Sequence, residues 1–222
     1  MSLSTRHSDQ VVVVIPAFNE EFSLREVIRS VLPYSRIIIV DDGSTDNTGK
    51  IAKNEGCEVV VHSMNQGYDK ALESGMQKAL ELGFDSAITM DADGQHGPEI
   101  INNFITEFNR GADLVVGIRN KKQRIAELLF AWVSILFWGI NDPLCGMKGY
   151  RLHLLRLAGR FDTYGSIGTE LAIRAAKSGF TVHQIPIIIK SRDGKPRFGS
   201  GLRPNLKILR ALLYALNSKK LK

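Results

Sequence analysis

Short apolar runs alternate with stretches of helical periodicity through the first half of the chain, and this alternation limits the fold more than any other feature. Five runs have the length and composition of buried strands: residues 11–15, 37–40, 59–61, 86–90 and 114–116. Between the first two, apolar residues recur at helical spacing at Leu24, Val27, Ile28 and Val31. This pattern predicts an α/β fold with a doubly wound, mostly parallel sheet and helices on both faces.

Polar motifs follow the predicted strands at the same relative position. Residues 16–20, 41–46, 91–95 and 117–119 each begin where an apolar run stops. In open α/β sheets, ligands bind beyond the carboxyl ends of the strands. The four motifs therefore predict one site at one edge of the sheet, which scattered turn residues would not explain.

Asp91 and Asp93 are the strongest candidates within that site. Residues two apart in an extended segment point the same way, so the two carboxylates can converge on one point. Converging carboxylates repel unless a cation lies between them, and oxygen ligands with open positions for phosphates suit Mg²⁺ or Mn²⁺. Solvated carboxylates of a turn are the alternative, since Asp and Gly are common turn residues.

Other α/β sites are excluded by what the loops lack. No glycine-rich loop ends in Lys-Ser/Thr after a strand, and no G-x-G-x-x-G opens a helix.

The two cysteines, Cys57 and Cys145, lie far apart and no hydrophobic signal segment precedes them, so we expect no disulfide framework and a cytoplasmic protein. We expect residues 1–10 to be a disordered tail or a cloning remnant.

The positive charge is concentrated at the end of the chain. Residues 191–222 contain nine Lys or Arg and one acid, which gives this segment about +8 in a chain of net charge +6, so the remainder is slightly negative. A basic tail on a near-neutral body suggests an anionic partner, such as nucleic acid, a membrane face or a phosphorylated substrate. A solvated helix that only aids solubility is the alternative.

Four motifs together resemble the inverting family 2 glycosyltransferases. They are VIPAFNE at 14–20, VDDGSTD at 40–46, NQG at 65–67 and DADGQHGPE at 91–99. Their order and spacing agree with the family over about residues 11–200, and the last motif is most similar to the branch of dolichyl- and polyprenyl-phosphate sugar synthases. The resemblance implies a GT-A fold, a nucleotide-diphosphate sugar as donor, and Mg²⁺ or Mn²⁺ as cofactor.

The resemblance also implies roles for individual residues. The base and ribose would be held by Pro16, Phe18, Glu20 and either Asp41 or Asp42. The metal and the diphosphate would be held by Asp91, Asp93 and Gln95, with Ala92 beside the donor; Asp93 is thereby a catalytic candidate. Arg119, after the next strand, would add a fixed positive charge.

The acceptor side is predicted from two later segments. Asp142 matches the family's Asp-Pro motif and is the candidate for orienting or deprotonating the acceptor, although a phosphate acceptor is already anionic and needs little general base. Arg192, Lys195 and Arg197 lie in a segment that resembles the family's flexible loop and could bind phosphate when that loop closes.

Two apolar segments bear on membrane contact. Residues 128–140 are uncharged and include Trp132 and Trp138, but the run is too short to span a bilayer. It is either a buried core helix or an interfacial helix with tryptophans at headgroup depth. Residues 204–216 predict a basic amphipathic helix with Leu206, Leu209, Leu213 and Leu216 on one stripe.

We therefore expect a catalytic domain over residues 11–202 and a C-terminal basic helix over 203–222.

The first hypothesis for the function is metal-assisted, inverting transfer of a hexose from a GDP-mannose or UDP-glucose type donor to polyprenyl or dolichyl phosphate. We expect this transfer at the cytoplasmic membrane face and without a nucleic-acid partner. The runner-up is a family 2 enzyme of cell-surface polysaccharide synthesis acting on a saccharide or other hydroxyl, with Asp142 as base. A nucleotidyltransferase would need a glycine-rich, basic first loop, which residues 16–20 lack, and a simple nucleic-acid or membrane-binding module would leave the strand-end motifs unexplained.

Overall fold

A computed structural model describes residues 10–120, 124–162, 165–188 and 202–221, with the side chains of residues 202–204 excepted. The described residues form one seven-stranded sheet flanked by helices. The strands are β1 (Val11–Ala17), β2 (Arg36–Asp41), β3 (Glu58–Val61), β4 (Ser86–Thr89), β5 (Leu114–Arg119), β6 (Lys148–Arg151) and β7 (Val182–Ile187). The helices are α1 (Leu24–Val31), α2 (Thr48–Asn54), α3 (Tyr68–Glu81), α4 (Ile100–Asn109), α5 (Ile125–Trp138), α6 (Leu152–Ala158), α7 (Thr169–Lys177) and α8 (Leu202–Asn217).

The strand order is β3-β2-β1-β4-β6-β5-β7. β1 pairs in parallel with β2 and β4, β2 with β3, and β5 with β7, whereas β6 runs antiparallel between β4 and β5. The predicted mostly parallel, doubly wound sheet is confirmed. β6 was not predicted, because residues 148–151 read K-G-Y-R and lack the apolar run of the other strands.

The core has one layer on each face of the sheet because successive strand residues point to opposite faces. Val11, Val13 and Ile15 pack with α1 and α4 on one side. Val12 and Val14 pack with α3 and α7 on the other. Strands buried on both faces read as continuous apolar runs, which is why β1 and β2 were recognisable from the sequence alone.

Helix α5 is not a buried core helix, although its sequence allowed that interpretation. Phe130 is fully buried, but Trp132 is 64% exposed, Leu136 64% and Phe137 63%. The buried side of α5 packs against α8, where Ala211, Leu212 and Ala215 join Phe130 in a small third cluster. One side of α5 therefore presents large apolar side chains to the surroundings.

Helix α8 buries a different side from the leucine stripe predicted from the sequence. Ala211, Leu212 and Ala215 are buried, whereas Leu206 is 64% exposed and Leu213 62%. Lys177 of α7 holds the end of α8, since its ammonium donates to the carbonyls of Ala215, Leu216 and Ser218 at 2.7–3.0 Å. None of the helices in the described ranges is both long and apolar enough to cross a membrane.

Candidate active site

The carboxyl ends of β2, β1 and β4 lie side by side, so the topology brings three of the four strand-end motifs together. Ala17 is level with Asp41 in the β1–β2 register, and Val14 is level with Thr89 in the β1–β4 register. The loops that follow these strands consequently emerge at one edge of the sheet. This is the edge where ligands bind in open α/β folds.

The loops after β1 and β2 are cross-linked through short hydrogen bonds. The backbone N–H of Asn19 donates to Ser44 Oγ at 3.0 Å, and Asn19 Oδ1 accepts from the N–H of Thr45 at 2.9 Å. The N–H of Glu20 donates to Thr48 Oγ1 at 2.8 Å. Asn19 adopts a positive φ of 54°, which asparagine tolerates better than most residues. The two loops therefore form one rigid wall.

Predicted donor-binding residues lie along this wall. Pro16 and Asp41 are buried, and Asp41 Oδ1 accepts from the backbone N–H of Ser44 at 3.0 Å. Glu20 is 8% exposed, and its Oε2 accepts from Ser23 Oγ at 2.8 Å. Phe18 is 40% exposed, as a side chain at the rim of a binding cleft would be. Their roles toward a base or ribose stay predictions.

Asp42 has a different environment from Asp41. Its Oδ1 lies 2.6 Å from His62 Nδ1 and accepts from the N–H of Gln66 at 2.9 Å. Its Oδ2 accepts from the N–H of Gly67 at 2.8 Å. Asp42 is only 3% exposed, so these donors compensate a carboxylate that has lost its water. Of the two acids offered by the sequence, Asp42 thus has the contacts of a residue that holds the loop before α3.

Asp91 and Asp93 follow β4 at the same edge and are partly buried. Tyr68 Oη donates to Asp91 Oδ1 at 2.6 Å, and His96 Nε2 lies 3.8 Å from Asp91 Oδ2. Asp93 Oδ1 accepts from the N–H of Gln95 at 3.1 Å. Ala92, between the two acids, is fully buried and anchors the loop in the core.

The donor set at this point fits a divalent cation that shares its coordination with a substrate. Within the described ranges, no group of three or more His, Cys, Asp or Glu is placed to hold a metal ion by itself. Mg²⁺ and related ions are usually bound by one or two carboxylates together with substrate phosphates. Asp91 and Asp93 are two carboxylates of this kind, with Gln95 as a neighbouring amide, and their role as metal ligands stays a prediction.

Arg119 and Asp142 form a closely matched ion pair at the end of β5. Arg119 Nε donates to Asp142 Oδ2 at 2.8 Å, and its Nη2 donates to Asp142 Oδ1 at 2.9 Å and to Glu127 Oε2 at 3.2 Å. Asp142 is 1% exposed. Burial alone would lower the pKa of Arg119, but its hydrogen bonds and the charge of Asp142 raise it, so the guanidinium stays protonated.

Lys148 links the loop that carries Asp142 to the loop before α7. Its buried ammonium donates to the carbonyl oxygens of Cys145 and Ile167. Burial lowers the pKa of Lys148 to about 8. Ile167 has a φ of 60°, a strained conformation for a β-branched residue, and Asp69 Oδ1 accepts its N–H at 2.7 Å. The loops before β6 and α7 are thereby held against the start of α3.

The structure assembles most of the predicted residues and adds several that the sequence did not identify. Arg192, Lys195 and Arg197 lie outside the described residues. Those added are Tyr68, Glu127, Lys148 and His62, the partner of the predicted Asp42. Only Tyr68 had a local signal, because it directly follows the NQG motif at a predicted helix start.

Comparison with known proteins places the fold and the family. Residues 12–129 match the family model described as Glycosyl transferase family 2. Polyprenol monophosphomannose synthase of Mycolicibacterium smegmatis is 28% identical, with 86% of this chain and 81% of the relative covered. Dolichyl-phosphate hexose transferase of Haloferax volcanii is 28% identical, with 85% of this chain and 86% of the relative covered.

A solved structure shows the same architecture. Glucosyl-3-phosphoglycerate synthase from Mycobacterium tuberculosis, in complex with Mn²⁺, UDP-glucose and phosphoglyceric acid, superposes with a TM-score of 0.75. The match covers 96% of this chain and 82% of that structure at 20% identity. The GT-A fold expected from the sequence is confirmed, and with the family match over more than half of its length, the chain belongs to the family 2 glycosyltransferases.

Proposed function

We propose that this protein transfers a hexosyl group from a nucleotide-diphosphate sugar to a polyprenyl phosphate, with metal assistance and inversion at the anomeric carbon. The observation that carries the choice of acceptor is the Arg119–Asp142 pair. A general base must reach the proton that it removes. Asp142 is 1% exposed and both of its carboxylate oxygens bond to Arg119, an arrangement poorly suited to deprotonating an acceptor hydroxyl.

A phosphate acceptor needs no such base, because it is already an anion near neutral pH. One of its oxygens attacks the anomeric carbon as the bond from that carbon to the donor's diphosphate breaks. The products are a glycosyl phosphodiester and a nucleoside diphosphate. Attack from the face opposite the leaving group inverts the configuration. The names of the Mycolicibacterium and Haloferax relatives, which refer to polyprenol and dolichyl phosphate, support this choice.

On the donor side, Asp91 and Asp93 would hold a divalent cation, with Gln95 close to the diphosphate. When bound, such a cation offsets the negative charge that develops on the leaving diphosphate. The rigid wall formed by the loops after β1 and β2 would orient the base and ribose through Pro16, Phe18, Glu20 and Asp41. Holding two reactants in a productive orientation by itself lowers the activation barrier substantially.

Substitution of Asp142 by asparagine tests the acceptor. The amide would keep the shape and an acceptor oxygen for Arg119, so we expect kcat with polyprenyl phosphate to fall by no more than about tenfold, which is well below the 10²–10⁴-fold that a general base contributes. Transfer of labelled sugar from GDP-mannose and UDP-glucose, each with Mn²⁺, provides the measurement. A loss of several orders of magnitude, or faster transfer to a soluble saccharide than to the lipid phosphate, would support the hydroxyl-acceptor enzyme instead.

We also propose peripheral attachment at the cytoplasmic face of the membrane, where a polyprenyl phosphate presents its headgroup. Helices α5 and α8 pack together and expose Trp132, Leu136, Phe137, Leu206 and Leu213. Lys207 and Arg210 of α8 add positive charge beside these apolar groups. An apolar surface with flanking basic residues is typical of helices that lie in the interface of an anionic membrane.

Vesicle binding tests this attachment through substitutions on the exposed face of α5. We expect Trp132→Glu combined with Leu136→Glu to weaken binding to anionic vesicles at least about tenfold. The two substitutions replace apolar side chains of the headgroup region by carboxylates, which an anionic membrane repels. Binding by the unaltered protein should weaken as salt is raised. Flotation with phosphatidylglycerol vesicles measures both effects.

A matched control is Leu82→Glu, which alters a leucine that is also exposed, at 41%, directly after α3. Deletion of α8 would be less informative, since it would also uncover Phe130. Equal vesicle binding by the α5 double variant and the Leu82 variant would contradict the proposed surface.

A further inference from the structure

We propose that Tyr68 is a positioning residue for the Asp91 carboxylate and that the buried Asp42–His62 pair holds Tyr68 in place. The inference rests on the proposed function, because it concerns the cation site of the donor. It assigns a role to the NQG motif and to the residue that follows it, for which the sequence offered a resemblance but no chemistry.

The contact between Tyr68 and Asp91 is short and directional. Tyr68 Oη donates to Asp91 Oδ1 at 2.6 Å, a distance typical of a hydroxyl bonded to a carboxylate. Burial, followed by the charge of Asp91, raises the pKa of Tyr68 well above its usual value, so the phenol remains a donor. A donor fixed on one carboxylate oxygen sets the rotation of the whole group and thereby the direction of Oδ2.

The backbone at Gly146 also lies close to Asp91. A Cβ on Gly146 would lie 3.2 Å from Asp91 Oδ2 and 3.6 Å from Tyr68 Oη. The backbone before β6 therefore approaches the Tyr68–Asp91 pair closely, and glycine allows that approach. The Gly146 backbone therefore limits the space beside Asp91 Oδ2.

Tyr68 owes its own position to Asp42. Tyr68 is the first residue of α3, and the preceding Gly67 has a φ of 94° that disfavours other residues. Asp42 accepts the N–H groups of both Gln66 and Gly67, which fixes the chain immediately before Tyr68. Without the Asp42 carboxylate, these two N–H groups would lose their buried acceptor.

His62 in turn orients Asp42. His62 Nδ1 lies 2.6 Å from Asp42 Oδ1, and His62 Nε2 lies 2.9 Å from Ser74 Oγ on α3. The chain of contacts thus begins and ends on α3 and passes through the strand-end acid of β2. It connects the loop after β2 to the metal-binding candidate after β4, although the two loops are distant in sequence.

The effect should be measurable as metal affinity. Hydrogen-bond partners of metal ligands typically contribute 10–100-fold to affinity. We therefore expect Tyr68→Phe to weaken Mn²⁺ binding about tenfold, measured by electron paramagnetic resonance in parallel sets with UDP and with GDP. Tyr150→Phe is the matched control, because Tyr150 Oη donates at 3.0 Å to the carbonyl of Gly168 rather than to a carboxylate. That variant should bind Mn²⁺ within about twofold of wild type, a smaller change than the 10–100-fold that a hydrogen-bond partner of a metal ligand contributes to affinity.

A double-mutant cycle tests the link through His62. His62→Leu should weaken Mn²⁺ binding in the same direction, and His62→Asn, which restores an N–H near the position of Nδ1, should recover most of the loss. If His62 acts through Tyr68, the His62→Leu/Tyr68→Phe protein should bind no more weakly than the more affected single variant. Additive losses would overturn the link between the two residues.

The outcomes separate this inference from the proposed function. If wild-type protein binds Mn²⁺ with either nucleotide and Tyr68→Phe binds equally or more tightly, the positioning role is wrong and the cation site stands. If wild-type protein binds no Mn²⁺ with either nucleotide, both are wrong. Circular dichroism of each variant identifies a loss of binding that comes from unfolding. If His62→Leu unfolds, the His62→Asn protein takes its place in the test.

Discussion

Asp93→Ala is expected to raise the dissociation constant of the nucleotide sugar in the presence of Mn²⁺ at least about 100-fold, more than the loss of an outer hydrogen-bond partner would. The carboxylate lies in the loop after β4, where Oδ1 accepts from the N–H of Gln95, and it is outside the hydrophobic core. The free energy of unfolding should change by no more than about 0.5 kcal/mol, as at most surface positions. Isothermal titration with GDP-mannose and UDP-glucose, with and without Mn²⁺, measures the binding.

The control for this substitution lies at the other end of the same strand. Asp85→Ala removes an exposed carboxylate directly before β4 and should leave metal-dependent binding unchanged. Asp91→Ala should weaken binding in the same way as Asp93→Ala, and it would also leave the hydroxyl of Tyr68 without its carboxylate acceptor. Normal donor binding by Asp93→Ala with Mn²⁺ present would remove Asp93 from the cation site.

Arg119→Met is expected to lower the free energy of unfolding by about 3–5 kcal/mol, the usual effect of removing one partner from a buried ion pair. Asp142 is 1% exposed and Glu127 5% exposed, and Arg119 bonds to both. Without the guanidinium, two buried carboxylates would lose a shared cation. Urea denaturation measured at neutral pH gives the change directly.

The double variant Arg119→Met/Asp142→Leu separates charge from packing. Replacing both members of a buried pair by apolar residues often costs little, so the double variant should be more stable than Arg119→Met alone. If the double variant is the less stable of the two, Asp142 stabilises the fold through contacts that do not need the guanidinium, such as the backbone N–H of Arg119, which donates to Asp142 Oδ2 at 3.1 Å. Sugar transfer by both variants should be poor if Arg119 supplies the fixed positive charge predicted for the end of β5.

The parts of the site that the sequence predicted are those that depend on local patterns. Strands β1, β2 and β4 were recognisable because both faces are buried, and Asp91 and Asp93 because they are two residues apart after a strand. The edge at which they meet followed from parallel topology, since every carboxyl end of a parallel strand points the same way. The family motifs added the chemistry expected of that edge.

Features that depend on distant residues could be decided only by the tertiary structure. β6 has no strand pattern of its own and is ordered by pairing with β4 on one side and β5 on the other. The Arg119–Asp142 pair joins residues 23 positions apart, and the Tyr68–Asp91 contact likewise spans 23 positions. Neither distance has a periodic signature in the sequence.

Burial of the apolar helices shows the same division between sequence and structure. The sequence predicted apolar or amphipathic helices at residues 128–140 and 204–216, because spacing alone sets which residues share a side of a helix, and the structure has these helices at 125–138 and 202–217. It did not determine which side is covered, because that depends on the neighbouring elements. In the folded chain α5 and α8 cover each other through Phe130, Leu212 and Ala215, which leaves Trp132, Leu136 and Leu213 exposed.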